Sequence, residues 1–442
     1  MRWTLLLMLA LPLWADKYVR DGGSSSACTS WSDACDQLTT AEGVVTRGET
    51  IWVADGSYTS ATLDVANSST SVITVKKATI AAHGTETGWD NAYGDGQASF
   101  GDITFGSDYW TWDGSTRNES DWNAFGSYGF RVAGSIYTYT DATLACGDSI
   151  TIQYSDIGGA EGASHTGSEP GEGVKVSCFT GSLSTNITVA KSRIHNIEHF
   201  ALLHFNGVDG CLIEDNWLGP AWGKEAIRGQ IGFKNCTIRR NWFYNSCGTA
   251  APDACTAEIA LWDGGANRFD NNEIYGNVIR CNGCDGGTSG VSILVGGNGS
   301  SWVGSPANGT LIFNNSIVGS TSTSFDSVPS ILVNGGTGNI CRNNLWYSVE
   351  GSPSTTCNTA SNNGEEASDP FTNWAGGGFT LSAALAGSSS DSPVGNSTDF
   401  AAVTRGVDGT WDRGAFEYEA GGAAVPARIG GGVRVSGGMR IQ

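Results

Sequence analysis

The chain has 442 residues, of which 63 are glycine and only 15% are charged, and its formal net charge at pH 7 is −20. So much glycine disfavours a helical bundle, and 16 tryptophan, 16 phenylalanine and 12 tyrosine residues disfavour a disordered chain. Nucleic-acid binding is excluded as well, because phosphate contacts require clustered lysine and arginine. The composition therefore favours a large, glycine-rich β-protein.

The first fifteen residues have the pattern of a secretory signal. Arg2 supplies the positive charge, residues 5–13 form a short apolar stretch, and Ala15 precedes the expected cleavage site. No later stretch is long and apolar enough to span a membrane. We therefore expect residues 1–15 to be removed and the mature chain to be secreted or held at the cell surface without a transmembrane segment.

Twelve cysteines are consistent with an oxidising compartment. Three pairs are close enough in sequence to close small loops: Cys28/Cys35, Cys247/Cys255 and Cys281/Cys284. The last pair has CxxC spacing but no second such pair and no neighbouring histidine, which favours a disulfide over a zinc site. Cys211 and Cys236 occupy equivalent places in successive repeats, where they are either bridged or stacked.

A short apolar strand, an asparagine-containing turn and another short strand recur along the middle of the chain. The turns carry Asn196, Asn216, Asn241, Asn272, Asn315 and Asn344. The shortest spacing is 20 residues, too short for a propeller blade of about 40–45 residues. Asparagine tolerates the left-handed conformation and bonds along a stack of like residues. The pattern predicts a parallel β-solenoid, whose coils pair with the coils on either side.

Both ends of this region resemble a known family. Residues 18–23, 30–34 and 48–58 look like the opening of right-handed parallel β-helix proteins of the pectate-lyase-like superfamily, and residues 405–418 look like its last strand. The resemblance implies a short N-terminal capping helix, here Ser32 to Ala41. Because the superfamily includes lyases, hydrolases, epimerases, adhesins and phage spikes, the resemblance implies a fold and leaves the activity open.

We expect one β-helix domain over residues 16–419, with an aromatic-rich insertion at about 89–130. Residues 420–442 form a tail of glycine-rich, six-residue repeats, each with one arginine. Such a tail is either disordered or adds short strands to the sheet edge of a partner, by self-association or by docking on a surface.

Outward side chains at equivalent positions of successive coils form a column with a step of about 4.8 Å. Further along this column we expect Val295, Val333 and Asn334, none of which carries a charge. The polar part supplies our catalytic candidates Lys175, His204, Arg228, Asp263, Glu225 and Glu258, and our substrate-binding candidates Asn206, Gln230 and Trp262.

Two chemistries fit these residues. A lyase acting on uronic acids must neutralise the substrate carboxylate, with Ca²⁺, arginine or lysine, and then remove a proton with a base. A glycosidase requires two carboxylates. The acidic residues Glu161, Glu169 and Glu172 are candidate oxygen ligands for Ca²⁺.

The stretch 225–243 resembles a segment of alginate lyases and chondroitinase B in the spacing of its residues. The catalytic arginine and lysine of that family have no equivalents here. We therefore hypothesise a secreted protein that acts on an extracellular polysaccharide, as a lyase or, second, as a hydrolase. The alternative is a non-catalytic surface or self-assembling β-helix protein, in which the column residues are ordinary groove residues.

Overall fold

The computed structural model describes residues 16–138, 146–160, 170–178, 182–198, 201–246, 257–262, 268–280, 291–297, 305–319, 330–349, 353–373, 378–385, 387, 397–401, 403–406 and 411–418. The expected signal segment, the arginine-containing tail and the cysteine pairs Cys247/Cys255 and Cys281/Cys284 lie outside these residues. Within them, no helix has both the length and the apolar character needed to cross a bilayer.

The described residues form short strands and very little helix. The two α-helices are α1 (Leu38–Glu42) and α2 (Ile80–His83), and a single 3₁₀ turn covers Asn91–Tyr93. The strands are β1 (Lys17–Val19), β2 (Thr50–Val53), β3 (Gly56–Ser57), β4 (Ala61–Leu63), β5 (Ile73–Lys77), β6 (Ala98–Phe100), β7 (Ile103–Phe105), β8 (Trp110–Asp113), β9 (Phe130–Val132), β10 (Ile136–Thr138), β11 (Ile150–Gln153), β12 (Ser155–Gly158), β13 (Val174–Ser177), β14 (Ser184–Ala190), β15 (Arg193–His195), β16 (Ala201–Glu214), β17 (Trp217–Leu218), β18 (Glu225–Lys234), β19 (Thr237–Arg239), β20 (Trp242–Tyr244), β21 (Ala257–Leu261), β22 (Glu273–Tyr275), β23 (Val278–Arg280), β24 (Ile293–Val295), β25 (Leu311–Phe313), β26 (Ser316–Val318), β27 (Ile331–Val333), β28 (Ile340–Arg342), β29 (Leu345–Tyr347), β30 (Thr359–Ser361), β31 (Gly364–Glu366), β32 (Phe371–Asn373) and β33 (Gly378–Leu381).

These strands build the predicted solenoid. Among the described residues, 20 strands join into a first sheet and 11 into a second, and the strands pair in parallel with their equivalents in neighbouring coils. The antiparallel pair β32–β33 stands apart from both sheets. Alternate side chains of each strand point into the tube, where residues such as Ile103 and Phe105 are almost completely buried. The right-handed parallel β-helix expected from the sequence is therefore confirmed.

An asparagine ladder runs along one corner, as predicted, but with partly different members. It consists of Asn216, Asn241, Asn277, Asn315, Asn344 and Asn363, joined by amide-to-amide hydrogen bonds of 2.9–3.1 Å. Asn196 and Asn272 are absent from it: Asn196 bonds to the carbonyl of Ala160, and Asn272 accepts from Cys236 N at a different corner. Because one coil can carry asparagine at two corners, the sequence spacing alone assigned Asn272 to the wrong one.

The N-terminal end of the solenoid is capped as expected, by a shorter helix. The helix α1 begins at Leu38 rather than Ser32, and its residues Leu38 and Ala41 pack into the core. The predicted pair Cys28–Cys35 is bridged beside it. Among the described residues, three further disulfides join Cys211–Cys236, Cys146–Cys178 and Cys341–Cys357. The first of these resolves the choice between bridged and stacked cysteines in favour of the bridge.

The region expected as an aromatic insertion contains coil strands as well as connecting segments. Strands β6, β7 and β8 lie within it and pair in both sheets, whereas residues 89–97 and 114–129 lie outside strands. The aromatic residues are mainly core, as favoured by the sequence: Trp110, Trp112, Trp122, Tyr128 and Phe130 are buried, whereas Phe125 is 53% exposed.

The C-terminal segment covers the second sheet instead of supplying the last coil strand. Phe400 and Phe416 pack with Trp242 and Leu345 on the outer face of that sheet. Hydrogen bonds fix the segment there, including one from the Asn314 side chain to the carbonyl of Asp412. The motif at 405–418 is therefore a strap across several coils.

Candidate functional site

One column of outward side chains crosses the first sheet in exact register. Its members are Thr62, Thr104, Tyr137, Lys175, His204, Arg228, Ala260, Leu294 and Leu332, one from each successive coil. Each lies between two residues that face inward, since side chains alternate along a strand. The predicted neighbours Lys175, His204 and Arg228 thus occupy consecutive coils, about 4.8 Å apart. We call these nine residues the central column.

A second column runs two residues further along the strands. Ser177 pairs with Asn206, and Asn206 pairs with Gln230. Trp262 follows, because its backbone N–H donates to the carbonyl of Gly229, next to Gln230. The structure therefore brings Asn206, Gln230 and Trp262 alongside the central column, as the sequence predicted.

In the expected continuation of the column through Val295, Val333 and Asn334, the two valines were assigned one residue out of place. Val295 and Val333 pack in the solenoid core, in register with Leu261. The outward residues at these coils are Leu294 and Leu332. A shift of one residue reverses the face of a strand, and the run Ile-Leu-Val in each strand has no polar residue to mark the outer side.

Glu172 is the centre of charge in this site. One oxygen of its buried carboxylate, Oε1, lies 2.7 Å from Lys175 Nζ and 3.2 Å from His204 Nδ1. Burial by itself raises the pKa of Glu172, but the hydrogen bonds and positive charge of His204 and Lys175 outweigh it and lower the pKa to about 2. Glu172 was predicted as a Ca²⁺ ligand, yet its carboxylate is held by two nitrogen donors.

His204 has hydrogen-bonding partners at both ring nitrogens. Its Nε2 lies 3.1 Å from Asn206 Oδ1 and 3.4 Å from Gln230 Oε1. A ring protonated at both nitrogens donates to Glu172 and to the amide oxygens, whereas a neutral ring with its proton on Nδ1 donates to Glu172 and accepts at Nε2 from an amide N–H once that amide group is turned over. Glu172, Asn206 and Gln230 together fix the orientation of the imidazole.

Arg228 is held from two sides. Its Nη1 lies 3.4 Å from Oε2 of the fully buried Glu225, within the same strand. The guanidinium also stacks at 5.1 Å from the ring centroid of Trp262, a cation–π contact that stabilises the charge. Arg228 is therefore a fixed cation next to His204.

Glu258 differs from Glu172 in the direction of its pKa shift. It is 4% exposed, and burial raises its pKa to about 7. It precedes Ile259, which pairs with Ile227, so it lies one coil beyond Arg228 and displaced along the strand. The site therefore holds two carboxyl groups of very different acidity.

Three candidates remain untested. Asp263, Glu161 and Glu169 lie outside the described residues. Among the residues that are described, no group of three or more His, Cys, Asp or Glu side chains is arranged to hold a metal ion.

Sequence reasoning missed Tyr137. Tyr137 lies on the coil before that of Lys175 and pairs with Lys175 in register, and its side chain faces outward. The signal was the alternation in Ile136-Tyr137-Thr138, which has the same form as Val174-Lys175-Val176. The asparagine pattern begins further along the chain, so this coil was not aligned with the others.

No family model matches this sequence, and neither does any curated protein. Among solved structures, pectate lyase Pel9A matches with a TM-score of 0.52 over 92% of this chain and 97% of that chain, at 15% identity. The surface adhesin PfbA of Streptococcus pneumoniae gives a TM-score of 0.36 at 13% identity, covering 73% and 78% of the two chains. The PL6 family alginate lyase AlyGC gives 0.30 at 14% identity, covering 80% and 51%. The match with Pel9A shows a shared fold, the parallel β-helix.

Proposed function

We propose that this β-helix protein acts outside the cell on an acidic polysaccharide bound along the central column, as a lyase. The observation that carries the proposal is the shared carboxylate oxygen of Glu172, which contacts both Lys175 and His204. The arrangement places a cation and an oriented imidazole on neighbouring coils. These are the two groups that elimination from a uronic acid requires. The four disulfides among the described residues support export.

The roles follow from the donors that each group has left. An ammonium has three N–H donors, and Lys175 uses one on Glu172. The others are available to the substrate carboxylate, which neutralises it and makes the adjacent carbon more acidic. Since Glu172 accepts the Nδ1 proton, a neutral His204 carries its lone pair on Nε2 and can accept a proton there.

In the reaction, His204 Nε2 removes the proton from the carbon next to the substrate carboxylate. A carbon–carbon double bond forms, the bond to the glycosidic oxygen breaks, and the leaving oxygen takes up a proton from water. Glu172 is a positioning residue, because it orients the imidazole and stabilises its charged form. Asn206, Gln230 and Trp262 are assigned to sugar binding, by hydrogen bonds and by stacking.

Hydrolysis is the second candidate, favoured by the positions of Glu225 and Glu258. Glu225 pairs in register with Ala257, the residue before Glu258, so the two carboxyl groups lie on adjacent coils, as the paired carboxylates of a glycosidase must. Glu258 would then protonate the leaving group. We place this chemistry second because Glu225 is engaged by Arg228.

Ca²⁺ is retained as a proposal that rests on Glu161 and Glu169. The described residues do not fit the ion by themselves, because the only member of the predicted set among them, Glu172, is occupied by Lys175 and His204. No step of the mechanism is assigned to the ion. Thermal unfolding with and without added Ca²⁺ tests the proposal, and an unchanged midpoint would contradict it.

The deciding experiment follows the ultraviolet absorbance of the unsaturated product on a panel of uronic-acid polysaccharides. We expect the signal with the wild-type protein and its loss with Lys175→Ala. The control is Lys191→Ala, since Lys191 bonds to Tyr154 at another corner of the solenoid. New reducing ends without absorbance would support hydrolysis. Binding without any cleavage would support the non-catalytic alternative.

A further inference from the structure

The two columns of the site present different chemistry on the same coils. The central column carries basic side chains on three successive coils, at Lys175, His204 and Arg228. The second column carries uncharged side chains beside them, at Ser177, Asn206, Gln230 and Trp262. Two residues along a strand span about 6.6 Å. The columns are therefore separated by roughly the width of a sugar ring with its substituents.

Ser177 carries a hydroxyl group that the described chain leaves unpaired. The residue is 3% exposed, and within the described residues its Oγ is buried without a hydrogen-bonding partner. Its strand neighbour Val176 packs in the core, so the Ser177 side chain points to the outer face, as that of Lys175 does. An unpaired buried hydroxyl costs stability. Because this hydroxyl faces the site, a bound ligand can supply the missing partner.

From these features we infer that a uronic acid ring lies across the strands, with its carboxylate on Lys175 and a ring hydroxyl on Ser177. The inference rests on the proposed function and adds the substrate class to it. The carboxylate and the hydroxyls at C2 and C3 occupy opposite edges of a pyranose ring, which suits two columns set one ring width apart. Ser177 is then a specificity-determining residue that sequence reasoning did not select.

Contact between the ring and Ser177 includes a movement of the Lys175 side chain. Lys175 shares the outer face of β13 with Ser177, and its side chain is 24% exposed. The substrate carboxylate attracts the ammonium group, and the four-carbon chain of a lysine is flexible enough to follow it. The ring thereby settles over Ser177 as its carboxylate is neutralised.

The second column also limits the substituents that the ring can carry. None of its four residues is charged, and the chain has a net charge of −20, so this column cannot balance a sulfate ester. An acetyl group on the hydroxyl that Ser177 binds would remove the donor and add bulk at a buried position. The substrate class is therefore a polysaccharide of uronic acids whose hydroxyls opposite the carboxylate are free.

Ser177→Ala tests the role of the hydroxyl with two readouts. The affinity for the unsubstituted polysaccharide, measured by calorimetry, should fall roughly fivefold to tenfold, as expected for one hydrogen bond. The thermal midpoint should stay the same or rise, because the variant also removes an unpaired buried group. A merely structural hydroxyl would give a lower midpoint and an unchanged affinity, and that result would overturn the inference.

Ser246→Ala is the matched control. Ser246 is 1% exposed, and its hydroxyl is likewise unpaired within the described residues. It follows β20 of the second sheet, away from both columns. Its thermal midpoint should respond like that of Ser177→Ala, and its affinity should equal that of the wild type. An equal loss of affinity in the two variants would contradict the assignment of Ser177.

The substrate itself provides the closing experiment. A uronic-acid polysaccharide that the protein cleaves is compared with the same polymer after chemical O-acetylation. Wild type should bind the acetylated form at least tenfold more weakly, and Ser177→Ala should reduce this preference. Equal binding and cleavage of both forms would overturn the inference and leave the proposed function intact. A protein that neither binds nor cleaves any polymer of the panel would refute the proposed function, and the inference with it.

Discussion

Glu172 Oε1 and His204 Nδ1 lie 3.2 Å apart although 32 residues separate them in the chain. The contact is possible because β13 and β16 pair in parallel and place Lys175 directly beside His204. Glu172, three residues before Lys175, reaches both of them. One buried carboxylate therefore balances the charge of two basic groups on successive coils, which ties the geometry of the site to the stability of the solenoid.

This relationship predicts a loss of stability at acidic pH that depends on Glu172. Its pKa falls from an ordinary 4.5 to about 2 on folding, so its contribution is fully present above pH 4.5 and is lost as the pH falls toward 2. The shift corresponds to roughly 3 kcal/mol. Glu172→Gln should therefore lower the thermal midpoint at neutral pH, and the difference from wild type should shrink on acidification.

The exposed Glu365 provides the control for this prediction. Glu365→Gln changes the net charge by the same amount without disturbing a buried contact, and its midpoint should follow that of the wild type across the range. A constant difference between Glu172→Gln and wild type at every pH would show that the carboxylate charge is not the source of the effect.

Much of the fold and part of the site followed from local sequence patterns. Lys175, His204 and Arg228 each stand between residues that face the core, so their alternation revealed the outer face and their register was predicted correctly. Leu294 and Leu332 were missed, because each lies in a run of three apolar residues in which alternation gives no information. The pairing of strands decides such cases, and that is a property of the whole solenoid.

The contacts of Glu172 illustrate a second limit. Nothing near it in the sequence separates an ion-pair partner from a metal ligand, because both roles use a carboxylate in a glycine-rich loop. The difference arises from His204, which the next coil supplies. Likewise, the disulfide Cys146–Cys178 joins residues that are distant in sequence, and only the stacking of coils brings them together.

The proposed role of His204 predicts a selective loss of turnover. His204→Gln retains polar groups that can meet Glu172 and Asn206 but cannot act as a base at neutral pH. We expect kcat to fall by roughly 10²–10⁴-fold, with KM little changed. Kinetics on the cleaved polysaccharide measure the split between kcat and KM.

An equal fall in kcat for Asn206→Ala, which removes a neighbour of His204 and a proposed sugar contact but leaves the imidazole in place, would argue against this assignment. In that case the ring would serve the structure of the site rather than the transfer of a proton. A smaller effect of Asn206→Ala, mainly on KM, is the expected result.

Glu258 predicts a dependence of stability on pH with the opposite sign. Burial raises its pKa from 4.5 to about 7, so the folded state favours the protonated form. Its contribution is fully present below pH 4.5 and is lost as the pH rises through 7. Glu258→Gln mimics the protonated carboxyl and should be more stable than wild type above pH 7, by up to about 3 kcal/mol.

Thermal unfolding of both proteins from pH 4 to pH 9 provides the measurement. The two midpoints should coincide at the acidic end and separate as the pH rises. If Glu258→Gln is instead less stable than wild type at pH 8, the ionised carboxylate is stabilised in the folded protein and the hydrolytic role of Glu258 loses its basis.

The asparagine ladder predicts a gradient of mutational cost from its middle to its end. Asn277 is fully buried; its amide donates to the carbonyl of Ile238 and to Asn315, and its oxygen accepts from Asn241. Asn277→Ala leaves several of these groups without partners and without access to water. Each such group costs about 1–3 kcal/mol, so the variant should lose at least about 3 kcal/mol.

Asn363 ends the ladder on a partly exposed coil, where water can replace the lost bonds, so Asn363→Ala should cost less than half as much. Chemical denaturation of the two variants measures the difference, and equal losses would show that the ladder does not stabilise the solenoid through its buried amides.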